Sequence, residues 1–222
     1  MISRYSLYTT ADLRDRFMLA GGLPKGIRPH YNIHPTLQAP VIVNKNGHPL
    51  VEQMGWGLIP KGAKNTNSVF RYKTYNVPSE KIFTKHSWDA AVRHARCLVP
   101  ANGFYQITGQ GNEKKAYYLR LKDTPLFAFA GIYSCWEDAG ATRSTYSVIT
   151  SEAPYSLRTV ADRMPIILSQ SEEVRWLDTS VADANSLFDM LRPISSEKLH
   201  ITEVGAEINS LKIDTPKLIV PI

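Results

Sequence analysis

"RCLVPANGFYQI", residues 96–107, is the stretch on which the fold turns. Its first half is a short continuous apolar run, the mark of a buried strand. The chain then runs through Pro100 into an expected turn at Gly103, emerges beside Phe104 and Tyr105, and presents a single amide, Gln106. A neutral polar side chain at the mouth of an apolar segment reads either as a polar edge residue or as part of a site.

Strand-like runs continue downstream in "KAYYLRL", "LFAFAGIYSCW" and "TYSVITSEA", separated by turn residues. Their succession implies a largely antiparallel sheet or barrel. Upstream, "APVIVNKNGHPLVEQMGWGLIP" reads as two strands around Asn46-Gly47, a hairpin signature. Prolines 24, 29, 35 and 40 keep the preceding region extended and turning. Helical spacing appears in "TTADLRDRFMLAG", with Leu13, Phe17 and Met18. It recurs over 79–95, with Ser79 as a cap and Ile82, Phe83, Trp88, Ala91 and Val92 on the apolar face. Two late helices are expected in "SQSEEVRWLD" and "VADANSLFDML", then a closing strand and tail. The pattern predicts a mixed α+β chain with one strand-rich core.

The 222 residues, 43% of them hydrophobic, suffice for one core without metals or disulfides, so residues 1–222 are expected to form a single domain. The 26 basic and 20 acidic residues leave a net charge of +6 and a pI near 9.3, which favours a polyanionic partner. Cys97 and Cys135 lie in apolar runs outside any CxxC pattern and read as reduced core residues. Charges from Arg4 onward argue against a signal peptide, and no apolar run approaches the length of a membrane span. A soluble, cytoplasmic monomer with no membrane partner is expected.

His30 and His34 have the four-residue spacing of a helical metal pair, but Pro29 and Pro35 enforce extended backbone around them. Hydrogen-bonded or exposed histidines are expected, with no metal and no cofactor. Neither a phosphate-binding glycine loop nor a GxSxG nucleophile elbow occurs. Basic and aromatic residues interleave in "VFRYKTYN" (69–76), with Lys61 and Lys64 just upstream. Cations that neutralise phosphates beside rings that stack on bases suit single-stranded nucleic acid, and a solvated loop with one aromatic anchor fits as well.

Seven stretches occur in an order that resembles one family: "YNIHPT", "GWGLIP", "YNVPSE", "RCLVPANGFYQI", "FAFAGIYSCW", "SVITSEA" and "ADRMPIIL". The family is SRAP, the SOS response associated peptidases, which are abasic-site sensors acting on single-stranded DNA. The resemblance implies the SRAP fold, a twisted barrel-like, mainly antiparallel β core flanked by helices. In active members the initiator Met is lost, and the α-amine and thiol of the exposed cysteine both add to the abasic aldehyde, giving a thiazolidine. This chain has Ile2 there, whose bulk is expected to retain Met1. The family's proton-transferring glutamate is matched by Gln106, and the histidine before "DR-P" by Ala161. An amide cannot exchange a proton near neutral pH. Cys97 is expected to be buried and so is not read as a replacement thiol.

Asn76 is retained at the family's sugar-contacting position, alongside Arg4, Glu80, Asp162 and Arg163, while Pro78 stands where an arginine is usual. The resemblance thus implies a catalytically degraded member binding single-stranded or abasic DNA non-covalently. Asn76 and Arg4 would contact sugar or phosphate, Trp56 and Tyr105 would stack on bases or shape the groove, Lys61, Lys64, Arg71 and Lys73 would add electrostatics, and Arg163 is a further DNA-binding candidate. Two alternatives stay open: an enzyme using a terminal amine as a Schiff base for β-elimination, and a scaffold that reuses the pocket for another partner.

Overall fold

The computed structural model of the chain describes residues 1–63, 73–84, 86–109, 114–138 and 140–222. Its strands are Tyr5–Leu7 (β1), His30–Ile33 (β2), Gln38–Lys45 (β3), His48–Trp56 (β4), Asn76–Pro78 (β5), Arg96–Ala101 (β6), Gly103–Thr108 (β7), Lys115–Leu121 (β8), Phe127–Asp138 (β9), Ala141–Glu152 (β10), Arg163–Pro165 (β11), Ile167–Leu168 (β12) and Leu199–Val204 (β13). The helices are Leu13–Arg16 (α1), His86–His94 (α2), Gln170–Leu177 (α3) and Ala184–Asp189 (α4).

The Asn46-Gly47 hairpin forms as the sequence predicts. β3 and β4 pair antiparallel down to Lys45↔His48. Asn46 and Gly47 take φ of 54° and 85°, the left-handed pair that a two-residue turn needs to follow the strand twist. From this hairpin the sheet closes on itself. β3 pairs with β6, β6 with β9, β9 with β10, and β10 returns to β4 at Thr145↔Gly55 and Tyr146↔Trp56. The result is a closed five-strand barrel, an α+β core of the expected kind. It is not wholly antiparallel, because β10 runs parallel to β4 and also to β5. Closure removes exposed sheet edges and encloses a dense interior. There Tyr5, Trp56, Phe129 and Tyr146 are fully buried, and the Tyr5 and Tyr146 hydroxyls meet at 2.6 Å.

The opening stretch proves to be two strands rather than one strand and a turn. β6 belongs to the barrel, whereas β7 belongs to a second, five-stranded antiparallel sheet of order β13-β8-β7-β1-β2. Pro100 is tolerated because β3 pairs β6 only at Cys97 and Leu98, so the missing N–H falls beyond that partner. Asn102 makes the crossing. Its Oδ1 accepts from the Tyr8 and Thr9 N–H groups and its Nδ2 donates to the Pro125 carbonyl, tying the junction to β1. Gly103 is needed for close approach, since a Cβ there would lie 2.3 Å from the Tyr118 ring.

The helix expected over 79–95 is divided. Ser79–Lys81 forms a 3-10 turn, and Thr84 directs both its hydroxyl and its N–H to the Lys81 carbonyl, ending the run before α2. Over 9–21 the α-helix is confined to the single turn of α1. Both late helices form, α3 behind a Ser169–Glu172 capping box and α4 capped by Asp183.

Candidate functional site

Four segments converge where the chain starts: residues 1–4, the Thr74–Asn76 entry to β5, Gln106 on β7, and Ala161–Arg163 at the head of β11. Ile2 is fully buried. Its carbonyl accepts a 2.6 Å hydrogen bond from Asn76 Nδ2, so the asparagine is wedded to the backbone of residue 2. Asn76 itself is held by pairing with Val148 on β10 and is 4% exposed. Its other polar atom, Oδ1, is buried with no hydrogen-bond partner among the described residues. Arg4 Nε and Thr74 Oγ1 are in the same state, while Arg4 Nη1 donates to the Ser3 carbonyl at 2.7 Å. Such unpaired buried groups are rare and costly, and three of the six among the described residues fall in these converging segments.

Strand alternation decides the fate of "GFYQ". Phe104 packs into the main core, Tyr105 points to the opposite face of the second sheet, and Gln106 returns to the inner side. Gln106 is 4% exposed and donates Nε2 to the Arg163 carbonyl at 2.9 Å, with Met164 Sδ 4.0 Å away. Ala161 is buried against the short turn that carries it, its N–H bonded to the Leu157 carbonyl. Partial burial pushes the Met1 amine below its ordinary value. The Asp162 carboxylate pulls it back up, and the Arg163 and Lys73 cations add to the lowering. These dependences bring Met1, Asp162, Arg163 and Lys73 into one electrostatic neighbourhood.

Arg163 is an engaged cation. Nη2 donates to Glu80 Oε2 and to the Thr150 carbonyl, both at 2.8 Å, and Nε reaches Thr150 Oγ1 at 3.2 Å. On Glu80, burial acts upward, but the bonds from Arg163 and backbone N–H groups together hold the carboxyl below its ordinary value. Lys61 and Lys73 are exposed, Lys73 at a left-handed φ of 50°. Lys64 and Arg71 lie outside the described residues.

For two residues, burial rules out the stacking half of the expectation. Trp56 is fully buried, donates Nε1 to the Tyr75 carbonyl at 2.7 Å and stacks on Tyr146, so it holds the barrel wall instead of meeting a base. Tyr105 is 2% exposed, its hydroxyl bonded to the Tyr31 carbonyl, beneath a C-terminal cover that includes Ile208 and Leu218. Burial drives its phenol far above the ordinary value. The aromatic beside the site is instead Tyr75, half-buried and electrostatically coupled to Arg4.

The remaining motifs lie elsewhere. His30 Nδ1 meets Asp214 at 2.7 Å, and His34 Nδ1 lies 3.0 Å from the Pro35 carbonyl. Among the described residues no three His, Cys, Asp or Glu side chains gather as metal ligands, and no helix is long and apolar enough to cross a membrane. Cys97 is fully buried and its thiol is pushed far up by desolvation, whereas Cys135 is only half-buried.

Comparison with known proteins agrees with this architecture. The abasic site processing protein YoqW of Bacillus subtilis is 30% identical over 223 residues, covering 99% of both chains. The abasic site processing protein HMCES of Gallus gallus is 29% identical over 88% of this chain and 67% of its own. A Bacteroides thetaiotaomicron protein of known crystal structure superposes with a TM-score of 0.89 at 25% identity, over 99% of each chain. The model of the SOS response associated peptidase (SRAP) family matches residues 1–211. A barrel of this topology, those relatives and a match over nearly the whole length lead to one conclusion: the chain belongs to the SRAP family.

Proposed function

We propose that this chain, acting as a single SRAP domain and as a monomer, binds single-stranded or abasic DNA without covalent capture. The observation that carries the reading is that Asn76 Oδ1 and Arg4 Nε are both buried and both lack a hydrogen-bond partner among the described residues, while Asn76 Nδ2 holds the Ile2 carbonyl. An unpaired acceptor and an unpaired cationic donor suit a deoxyribose hydroxyl and its neighbouring phosphate. The covalent route lacks its parts. Ile2 offers no thiol, Gln106 cannot exchange a proton, and Ala161 has no titratable group.

Fluorescence anisotropy with an abasic single strand, an intact single strand and a duplex, each at two salt concentrations, tests the reading. Tighter single-strand binding that weakens with salt is expected. Equal weak binding to all three, with no salt slope, would overturn it. Asn76→Ala is expected to weaken the abasic strand roughly 3- to 10-fold, the scale of a lost hydrogen bond at a buried site.

A second reading has one observation in its favour, the lowered proton affinity of the Met1 amine. A neutral amine adds to the ring-opened aldehyde and expels water to form an imine, which favours β-elimination of the 3′ phosphate. Only the unprotonated amine attacks, so trapping by borohydride should rise with pH, beginning below the ordinary α-amine value of about 8. An adduct of the right mass, seen only after reduction, supports this chemistry. Its absence at high protein concentration and at every pH removes it.

A further inference from the structure

We infer that Tyr155, with Arg158 beside it, is a stacking platform for an unpaired base of a single strand bound at the residue 1–4 and Asn76 site. The inference rests on the DNA-binding reading above and extends the contact surface beyond that site.

Residues 153–162 form the connection between β10 and β11, and the loop is closed at its base. β10 meets β11 at Glu152↔Arg163, and the Ala153 N–H donates to the Asp162 carbonyl at 2.9 Å. The base of this loop is therefore the same backbone that carries Ala161, Asp162 and Arg163 to the site. Within it Ala153 and Leu157 are each 3% exposed and anchor the loop to the core, while the Leu157 carbonyl accepts from the Ala161 N–H at 2.9 Å. Ser156 adds a tether, its hydroxyl donating to Ser196 Oγ at 2.8 Å.

On this fixed mount Tyr155 is 88% exposed, the most exposed large apolar side chain among the described residues. Nothing in the core requires a ring there. A single exposed aromatic is ordinary on a protein surface, but three features distinguish this one. It follows Pro154 on a short 3-10 turn, so its backbone is preset. The Arg158 guanidinium sits 5.9 Å from the ring centroid, a cation over a π face. And Tyr155 is only two residues from the bond to Asp162, about 7 Å of extended chain. A ring offers any base a surface to stack on, and the neighbouring arginine, in a loose 3.7 Å pair with Glu152 where both side chains are exposed, can exchange that weak partner for the phosphate that follows. Trp56 and Tyr105, locked in the interior, cannot supply this contact.

The test is anisotropy titration of an oligothymidylate carrying one central abasic site, using wild type, Tyr155→Ala, Tyr155→Phe and Arg158→Ala. Stacking is expected to be worth about 5- to 150-fold in affinity, lost in Tyr155→Ala and kept in Tyr155→Phe, because the ring and not the hydroxyl makes the contact. Arg158→Ala should reduce the slope of log affinity against log salt by about 0.7, one phosphate on a single strand. A wild type that binds while Tyr155→Ala binds equally well overturns the platform alone. Equal weakening in Tyr155→Phe and Tyr155→Ala overturns stacking as its basis. A wild type that binds no single strand at low salt overturns both the platform and the function on which it rests.

Discussion

Combining Ile2→Cys, Gln106→Glu and Ala161→His in one chain is expected to yield a heat-stable covalent adduct with abasic single-stranded DNA, where the wild type yields none. A small second residue permits removal of the initiator methionine, leaving an amine and a thiol on one carbon framework. Both add to the aldehyde with loss of one water, closing a thiazolidine that an amine alone cannot form. The backbone is already suited to this. Asn76 Nδ2 grips the carbonyl of residue 2, a bond that does not depend on the side chain there. Glutamate at 106 would face the Arg163 carbonyl, which now accepts from the amide Nε2. A carboxylate against a carbonyl in a buried setting is driven toward its protonated form, which raises its pKa toward the range where it can pass a proton near neutrality. Ile2→Cys should cost about 1–2 kcal/mol through lost packing of a fully buried side chain. Denaturing gel electrophoresis after heating reads the outcome. A folded triple variant that binds the abasic strand but forms no adduct would show that more than these three groups separates the chain from a working catalyst.

What was legible in the sequence was local. The Asn46-Gly47 turn announced itself because left-handed backbone at two successive positions selects for those residues, and both late helices form where their stretches were read, with caps at Ser169–Glu172 and Asp183 seen only in the structure. The parallel pairing of β10 with β4 and β5 was not legible, since its partners lie far apart in the chain and no turn records them. Tyr105 shows the same limit. Alternation with Phe104 sends one ring to each face of the sheet, but only the path of the C-terminal segment decides that the outer face is covered. Of the two expectations for Trp56, stacking fails, because a tryptophan between glycines suits a surface platform and a barrel wall equally well and here it is buried in the wall. In the site, the family resemblance located Ile2, Asn76, Gln106 and Ala161–Arg163, and the fold brings them together. The orphan atoms of Arg4, Thr74 and Asn76, and the capture of Arg163 by Glu80, arise only from three-dimensional packing.

Arg96→Met is expected to destabilise the protein by about 3–5 kcal/mol, the cost of breaking a buried charged network, and to lower Tm by roughly 6–20 °C for a chain of this size. Arg96 opens the stretch from which the fold was read, and it is 2% exposed with no carboxylate bonded to its guanidinium among the described residues. Its partners are carbonyls at two helix ends. Nη1 donates to Val92 and Arg93 at the end of α2, at 2.7 and 2.9 Å, while Nε and Nη2 donate to Trp176 and Asp178 at the end of α3. These are the groups a helix leaves unpaired at its C-terminus, where its dipole also favours a cation. Burial draws the guanidinium down to about 10 against the upward pull of Asp178, so it remains charged at neutral pH. Methionine fills the volume but leaves those carbonyls unsatisfied in the interior. Lysine restores the charge without the planar fork that reaches both helices, so Arg96→Lys should recover less than half of the loss, to be read from urea midpoints at constant slope. The damage should be global rather than local to DNA binding, because Trp176, held by Arg96, donates its indole N–H to the Cys97 and Gly131 carbonyls of the barrel wall. Loss of less than about 1 kcal/mol in Arg96→Met would mean that water replaces the guanidinium at those carbonyls without penalty.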